Sequence, residues 1–424
     1  MLPSLATIAK FMYNLVPVLN GGFCVDHLLC CSGSTVKSDV EMRQTPPLSD
    51  KLIVGYASWK QCDDYIITAV ENGINVVVWF SINLAVCEGE QTITGAVPDL
   101  DCVARTVATL RARGYDDVVH MISVGGWNSP LPDTTYSGQS WFKYFHKWNN
   151  EVVARPQMGW HGFDGIDWDP EGSNDVSLPS NHFTVARMDL IGEMSVAAKR
   201  AGYLVSLAPA QSYLDMSMPD FDLNVDHAPT YWMHDFKYHG LNTYAYWLAR
   251  YGHTIQFCGA TVATFDWVGL QLYEGWSRAN YELSHEGKDV TQYLTMLITG
   301  MRDGWEVQFE NVPGLETKAQ TISVTPSRLL IGLANGWTTP YTTTDHASVD
   351  SNEGEQETVP KFLLLLPEQL EKAYQAMPVE IQPRGFMFWN IADEGEVINQ
   401  ATGERLFMAK GLNKFLQVRE KEGV

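Results

Sequence analysis

Eight short apolar runs, separated by segments with helical spacing, constrain the fold of this 424-residue chain more than any other feature. Most of them are apolar throughout, which is typical of parallel strands covered by helices. Alternation of such runs with helices predicts a parallel β/α protein. The predicted strands are Leu52–Ala57, Asn75–Ser81, Val118–Val124, Phe163–Asp169, Tyr203–Ala208, Trp267–Leu272, Leu329–Ala334 and Gly385–Trp389.

Helical spacing recurs between these runs, and a last helix is expected near the C-terminus. Eight strands with intervening helices predict a closed (β/α)8 barrel, or TIM barrel, as a single catalytic domain. An open doubly wound sheet is the alternative, but neither a Gly-rich dinucleotide fingerprint nor a P-loop supports it. The predicted helices are Val103–Arg113, Trp141–Val153, Phe183–Arg200, Val290–Met301, Pro360–Gln375 and Arg405–Leu416.

The barrel is expected over residues 51–424, after a leader or N-terminal extension over residues 1–50. That extension ends in a stretch typical of a linker, Arg43–Asp50. The polar segment 342–358 predicts a loop between strands seven and eight. No run reaches the about twenty apolar residues that a membrane-spanning helix needs.

The net charge and the cysteine spacing limit the kinds of partner and ligand that we expect for this chain. A net charge of −21 argues against nucleic acid and anionic membranes, and it suits a neutral substrate. The seven cysteines lack zinc-site spacing, so we expect no metal. Their odd number predicts at least one free thiol, and Cys87–Cys102 is the disulfide that the sequence favours because it would close one loop.

The segment Phe163–Glu171, which contains the predicted strand Phe163–Asp169, carries four carboxylates within eight positions. Side chains alternate along a strand, so Asp167, Asp169 and Glu171 point to one side and Asp164 to the other. Like charges on a buried face repel, and burial also opposes ionisation, so we expect raised pKa values. A protonated Glu beside ionisable Asp residues is an acid catalyst's arrangement. A calcium loop is the alternative, but the EF-hand offsets for Gly and Glu are not met.

The pattern D-G-x-D-x-D-x-E resembles the strand-four signature of glycoside hydrolase family 18, the chitinases and their relatives. Other segments are similar to further signatures of that family, with weaker matches in strands one and five. Two positions depart from it: Glu274 stands where Asn or Asp is usual, and Asn390 where Ser is usual. The matching segments are Ser123-Val124-Gly125-Gly126-Trp127, Gln271-Leu272-Tyr273-Glu274, Gly385-Phe386-Met387-Phe388-Trp389 and, more weakly, Gly55-Tyr56-Ala57-Ser58-Trp59 and Ser206–Gln211.

The resemblance implies hydrolysis of β-1,4-linked N-acetylglucosamine polymers by a substrate-assisted retaining mechanism. Glu171 would protonate the glycosidic oxygen, Asp169 would hold the acetamido N–H, and Tyr273 would donate to the acetamido carbonyl. Asp167 would lie behind Asp169 and share a proton with it, and Trp389 would form the floor under the reacting sugar. The remaining expected substrate-binding residues are Gln271, Tyr56, Trp127 and Glu274, and the structural ones are Asp164, Ser123, Gly125 and Gly126.

The resemblance also implies a chitin-type glycan as partner, no cofactor, a monomer without membrane or nucleic-acid partners, and an extracellular or secretory setting. The segment between strands seven and eight is too short for the full α+β insertion of many family members. Two other functions remain open: an endo-β-N-acetylglucosaminidase acting on N-glycan cores, and a non-catalytic chitin-binding lectin. Lectins of that kind usually lose an acid of the motif, whereas all four acids are present here.

Overall fold

Eight parallel strands close into a barrel in this computed structural model, which describes residues 42–173, 177–225, 241–257, 260–274, 277–309, 319–335, 363–399 and 402–419. The strands of the described residues are β1 (Leu52–Ala57), β2 (Val76–Cys87), β3 (Glu90–Gly95), β4 (Val119–Gly125), β5 (Gly165–Asp169), β6 (Leu204–Leu207), β7 (Thr254–Phe257), β8 (Ala260–Ala263), β9 (Trp267–Gln271), β10 (Trp305–Val307), β11 (Gln320–Ile322), β12 (Leu329–Ala334) and β13 (Gly385–Trp389). The barrel order is β1-β2-β4-β5-β6-β9-β12-β13, and β13 pairs back with β1. The predicted TIM barrel is confirmed.

Helices follow the barrel strands. They are α1 (Asp64–Glu71), α2 (Leu100–Ala112), α3 (Gly138–Trp148), α4 (Val185–Arg200), α5 (Ala245–Arg250), α6 (Arg278–Asn280), α7 (Val290–Asp303), α8 (Pro367–Ala376) and α9 (Met408–Leu416). Polar N-cap residues start several of them: Asp63, Asp99 and Ser137 each accept a hydrogen bond from a backbone N–H of the first turn. No helix within the described ranges is both long and apolar enough to cross a membrane.

All eight predicted strands are present: Leu52–Ala57, Leu329–Ala334 and Gly385–Trp389 have the predicted ends, and the other five are shifted at one or both ends. Strand β2 runs on to Cys87 and forms an antiparallel hairpin with β3, which the sequence patterns did not predict. Helix α1 was also missed. The predicted helix Pro360–Gln375 begins only at Pro367, because Gln369 caps the N–H of Leu366 and the proline occupies the first turn. The predicted loop 342–358 lies outside the described residues.

The barrel has two apolar layers. Inward-facing side chains such as Val54, Val78 and Met121 fill its interior, while outward-facing ones such as Ile166 and Trp168 pack beneath the helices. Strand alternation therefore sends Asp167 and Asp169 inward, between the apolar Ile166 and Trp168 that point outward. This places polar groups inside the barrel near the carboxyl ends of its strands.

The end of the predicted linker lies against the barrel. The N–H of Arg43 donates to the carbonyl of Ala201 (2.7 Å), and the Arg384 guanidinium donates to the carbonyl of Ser49 (2.7 Å). Arg43 also forms an ion pair with Asp164 (3.1 Å). Residues 43–50 are thus part of the packed structure, while residues 1–41 of the predicted extension lie outside the described residues.

The predicted Cys87–Cys102 disulfide is wrong. Cys102, in α2, is bonded instead to Cys62, just before α1, with 6.1 Å between their Cα atoms. Cys87 is a free, exposed cysteine. The unpredicted hairpin explains the error: it pairs Cys87 with Glu90 at the hairpin end, whereas neighbouring barrel units bring Cys62 and Cys102 together.

Candidate active site

Asp167, at the centre of the acidic strand, is enclosed by hydroxyl groups from three other strands. It is fully buried. The hydroxyls of Tyr56 (3.0 Å) and Ser123 (3.3 Å) donate to its Oδ2, and that of Ser206 (2.6 Å) donates to Oδ1. Burial raises the pKa of Asp167, while these three hydrogen bonds favour its charged form and oppose that rise. Ser206 was not among the predicted site residues.

Asp169 lies one step closer to the end of the strand. Its Oδ1 accepts a hydrogen bond from Gln271 Nε2 (2.9 Å), and its carboxyl group shares a hydrogen bond with that of Glu171. Burial and the neighbouring Glu171 charge raise the pKa of Asp169 well above its usual range. Two carboxyl groups that share a hydrogen bond also share one proton, so they titrate as a pair.

Glu171 follows the end of β5 and reaches the open cleft. Its carboxyl group is half-buried, and it accepts hydrogen bonds from the Gln271 side chain and the backbone N–H of Trp127. Burial, as the largest effect, raises the pKa of Glu171 to about 7. A carboxyl group with this pKa is well matched to proton donation at neutral pH.

Tyr273 and Glu274 follow β9, which lies two strands from β5 in the barrel order. The Tyr273 hydroxyl donates to Gln271 Oε1 (2.8 Å), so Gln271 connects Tyr273 to Asp169. Glu274 is buried, and its Oε2 has no hydrogen-bond partner among the described residues. Burial, followed by the Glu171 charge, raises the pKa of Glu274 well above its usual range.

Gly125 and Gly126 allow close contact beside the acidic strand. Both have positive φ (112° and 97°), a conformation that favours glycine. The N–H of Gly126 donates to the carbonyl of Asp169 (2.5 Å). A Cβ on Gly125 would lie 2.6 Å from that carbonyl oxygen, and one on Gly126 would lie 2.0 Å from Phe80 Cζ. A side chain at Gly125 would therefore push against the acidic strand, and one at Gly126 would displace the Phe80 ring.

These groups line a cleft of about 550 Å³ with an aromatic floor. The Trp389 ring lies edge-on to Phe80 (4.8 Å between centroids) and to Trp59 (5.0 Å). The sequence patterns did not predict Trp59 or Phe80 as site residues, although Trp59 is the last residue of the strand-one segment that resembles the family signature. The cleft is lined by Ser58, Trp59, Phe80, Trp127, Asp169, Glu171, Ala210, Gln271, Tyr273, Glu274, Trp389, Asn390 and Asp393.

The fourth acid of the motif, Asp164, lies at the other end of the strand. It accepts a hydrogen bond from the backbone N–H of His120 (2.9 Å) and pairs with Arg43. It does not line the cleft. In the described part of the chain, no group of three or more His, Cys, Asp or Glu side chains could hold a metal ion.

Comparison with known proteins finds likeness in structure only. No family model and no curated protein sequence matches the chain. Among solved structures, the Legionella pneumophila ChiA C-terminal domain is 16% identical, with a TM-score of 0.47 and coverage of 86% of this chain and 98% of that one. The Ostrinia furnacalis Group IV chitinase in complex with allosamidin is 13% identical, with a TM-score of 0.47 and coverage of 87% and 99%.

The similar solved structures also include an inhibitor protein. The xylanase and alpha-amylase inhibitor protein from Scadoxus multiflorus is 14% identical, with a TM-score of 0.43 and coverage of 88% of this chain and 99% of that one. Similar structures therefore include chitinases and chitinase-like proteins that are not named as enzymes. Identities of 13–16% are too low to carry an activity from one chain to another.

Proposed function

We propose that this protein is a glycosidase that hydrolyses β-1,4-linked N-acetylglucosamine polymers, such as chitin, by a substrate-assisted retaining mechanism. One observation carries the proposal. The carboxyl groups of Asp167, Asp169 and Glu171 form a series from the closed barrel interior to an open cleft with an aromatic floor.

Glu171 is the proposed proton donor. Its pKa of about 7 keeps much of it protonated near neutral pH, and its carboxyl group reaches the cleft. It gives its proton to the glycosidic oxygen as the bond to the anomeric carbon breaks. The resulting carboxylate then removes a proton from the incoming water.

The two other acids are poorly placed to act as nucleophiles. Asp167 is enclosed by three hydroxyl groups, and Asp169 is bonded to Gln271 and Glu171. An ordinary retaining glycosidase needs a carboxylate that can attack the sugar. The enclosure of Asp167 and the hydrogen bonds that hold Asp169 therefore support attack by the substrate's own 2-acetamido oxygen, which forms a cyclic oxazolinium ion.

Asp169 and Tyr273 are proposed to hold that acetamido group. The Asp169 carboxyl group accepts from its N–H and offsets the positive charge that develops there, while the Tyr273 hydroxyl donates to its carbonyl oxygen. Water then attacks the anomeric carbon and reopens the ring, so the original configuration is kept. Hydrogen-bonding groups that are already held in position are well suited to stabilise such charge.

Trp389 is the proposed stacking surface for the reacting sugar. It lines the cleft with Asp169 and Glu171 and is braced by Phe80 and Trp59. Sugar rings present apolar C–H faces that pack well against an indole ring.

The test is hydrolysis of an N-acetylglucosamine hexamer, with a glucosamine hexamer and a β-1,4-glucose hexamer as controls, read by mass spectrometry of the products. We expect cleavage of the acetylated hexamer alone, because the other two lack the acetamido nucleophile. Equal cleavage of all three would overturn substrate assistance. Tight binding of the acetylated hexamer without turnover would show a lectin, and turnover of N-glycans alone would show the endo-acting alternative.

A further inference from the structure

Among acidic and basic side chains, the described residues that line the cleft supply acids alone. The described lining residues include Asp169, Glu171, Glu274 and Asp393, but no lysine, arginine or histidine. Two acids elsewhere that are largely removed from water have cationic partners: Asp215 pairs with Arg278 (3.1 Å) and Asp266 with Lys199 (2.6 Å). Because a carboxylate removed from water needs a partner, the cleft is suited to a ligand that brings positive charge.

Asp393 is the acid best placed to meet such a ligand. It is half-buried at one end of the cleft, and its Oδ2 accepts a hydrogen bond from Asn390 Nδ2 (2.9 Å). It makes no ion pair with any residue that the structure describes. Its charged neighbour is another acid, Glu396.

Asn390 adds a second acceptor beside Asp393. Only 5% of this residue is exposed, it lines the cleft, and its Oδ1 lacks a hydrogen-bond partner within the described part of the chain. An ammonium group has three donors and no acceptor, so a carboxylate and an amide oxygen complement it. An acetamido group would instead require a donor for its carbonyl oxygen.

Trp59 supplies an aromatic ring in the lining of the same cleft. It is 59% exposed and contacts Trp389, the residue that directly precedes Asn390. Aromatic rings attract cations through their faces and also pack against sugars. A metal ion fits poorly here, because no described cluster offers three or more ligands of the usual types.

We infer that this end of the cleft binds a protonated amino sugar, through Asp393, Asn390 and Trp59, next to the sugar that is cleaved. The inference rests on the proposed function and specifies its substrate as partly deacetylated chitin. The cleaved unit keeps its acetyl group, because that group supplies the nucleophile. The neighbouring unit carries a free amine, whose charge is matched by Asp393.

The experiment compares kcat/KM for an N-acetylglucosamine hexamer with that for hexamers deacetylated at one unit, and maps the cleavage position by mass spectrometry. We expect the wild type to prefer the hexamer whose amine lies next to the cleaved unit. Asp393→Asn should lower that preference about fivefold, as expected for an ion pair at a partly exposed site. Asp116→Asn, which removes an exposed surface charge, should leave it unchanged.

Salt provides a measurement that needs no variant. Raising the ionic strength to about 1 M shortens the screening distance to about 3 Å and should weaken the wild type's preference for the amine. If the preference for the amine-containing hexamer did not change with salt, or were equal in the wild type and Asp393→Asn, the amine site would be overturned. The glycosidase proposal would remain intact. Failure of the wild type to cleave any of the hexamers would instead refute the proposed function itself.

Discussion

Strand β5 and the residues around it hold acids in two contrasting environments. At the start of the strand, Asp164 is almost completely buried, yet it pairs with Arg43 and accepts from a backbone N–H. At the other end, Asp169 and Glu171 have each other and neutral donors, and Glu274 has an oxygen without a described partner. The acid at the start of the strand therefore has a cationic partner. The acids at its other end lie next to further acids, and the described residues offer them no cation.

This difference separates acids that support the fold from acids that are poised for chemistry. A paired acid stabilises the structure around it, and removing its partner costs stability. Burial raises the pKa of the acids at both ends, but at the cleft end the repulsion between neighbouring carboxyl groups adds to that rise, and such groups exchange protons readily. The two ends should therefore respond in opposite ways to substitution.

The largest expected effect is on catalysis. Glu171→Gln removes the proposed proton donor but keeps its shape, so kcat/KM on the N-acetylglucosamine hexamer should fall about 10²–10⁴-fold. The melting temperature should stay close to that of the wild type, because no ion pair is lost. Steady-state kinetics and thermal melting, measured on the same sample, test both halves. A variant that keeps most of its activity would remove Glu171 from the role of acid.

The opposite end should show the reverse pattern. Arg43→Met leaves the Asp164 carboxylate buried without its partner, which should lower the free energy of unfolding by about 3–5 kcal/mol. Activity per folded molecule should be unchanged. Arg113→Met is the matched control, because its ion pair with Glu71 is exposed (49% and 39% for the two side chains) and should be worth about 1 kcal/mol or less. Equal losses in urea denaturation would contradict the contrast.

Trp389→Ala should have an intermediate effect. Loss of a well-buried aromatic contact costs about 1–3 kcal/mol, so kcat/KM should fall by roughly ten- to a hundredfold. Part of that loss should appear in kcat, because stacking also helps to distort the sugar toward the transition state. Trp148→Ala, in a half-buried position away from the cleft, serves as control. Unchanged kinetics for Trp389→Ala would place this indole outside the substrate path.

The smallest effect concerns pH. Glu171 must be protonated to act as acid, and its pKa is raised to about 7. Activity should therefore persist below pH 7 and fall as the pH rises through that value, which a profile of kcat/KM would show. Glu274→Gln should leave this limb in place, because burial keeps Glu274 neutral there. If this variant moved the limb to lower pH, Glu274 would carry charge in the wild type.

Sequence patterns predicted the barrel because a fully apolar run identifies a buried strand without any knowledge of the segments that pack against it. They also predicted that Asp167 and Asp169 share a face, since strand alternation is local. The groups around those acids come from distant segments, so Ser206, which donates to Asp167, and Asp393, which lines the same cleft as Asp169, were missed. The Cys62–Cys102 pairing was missed for the same reason: it depends on how two consecutive β/α units pack, which cysteine spacing does not report.

The Cys62–Cys102 disulfide has a consequence for where this protein can reach its native form. Disulfides persist in oxidising compartments and are rare where glutathione and thioredoxin keep thiols reduced. Closing a 40-residue separation, the bond restricts the unfolded chain and should contribute about 2–4 kcal/mol of stability. Under reducing conditions α1 and α2 would have to pack without this cross-link, and the folded chain would lack its contribution to stability. The yield of folded protein should therefore depend on how oxidising the surroundings are.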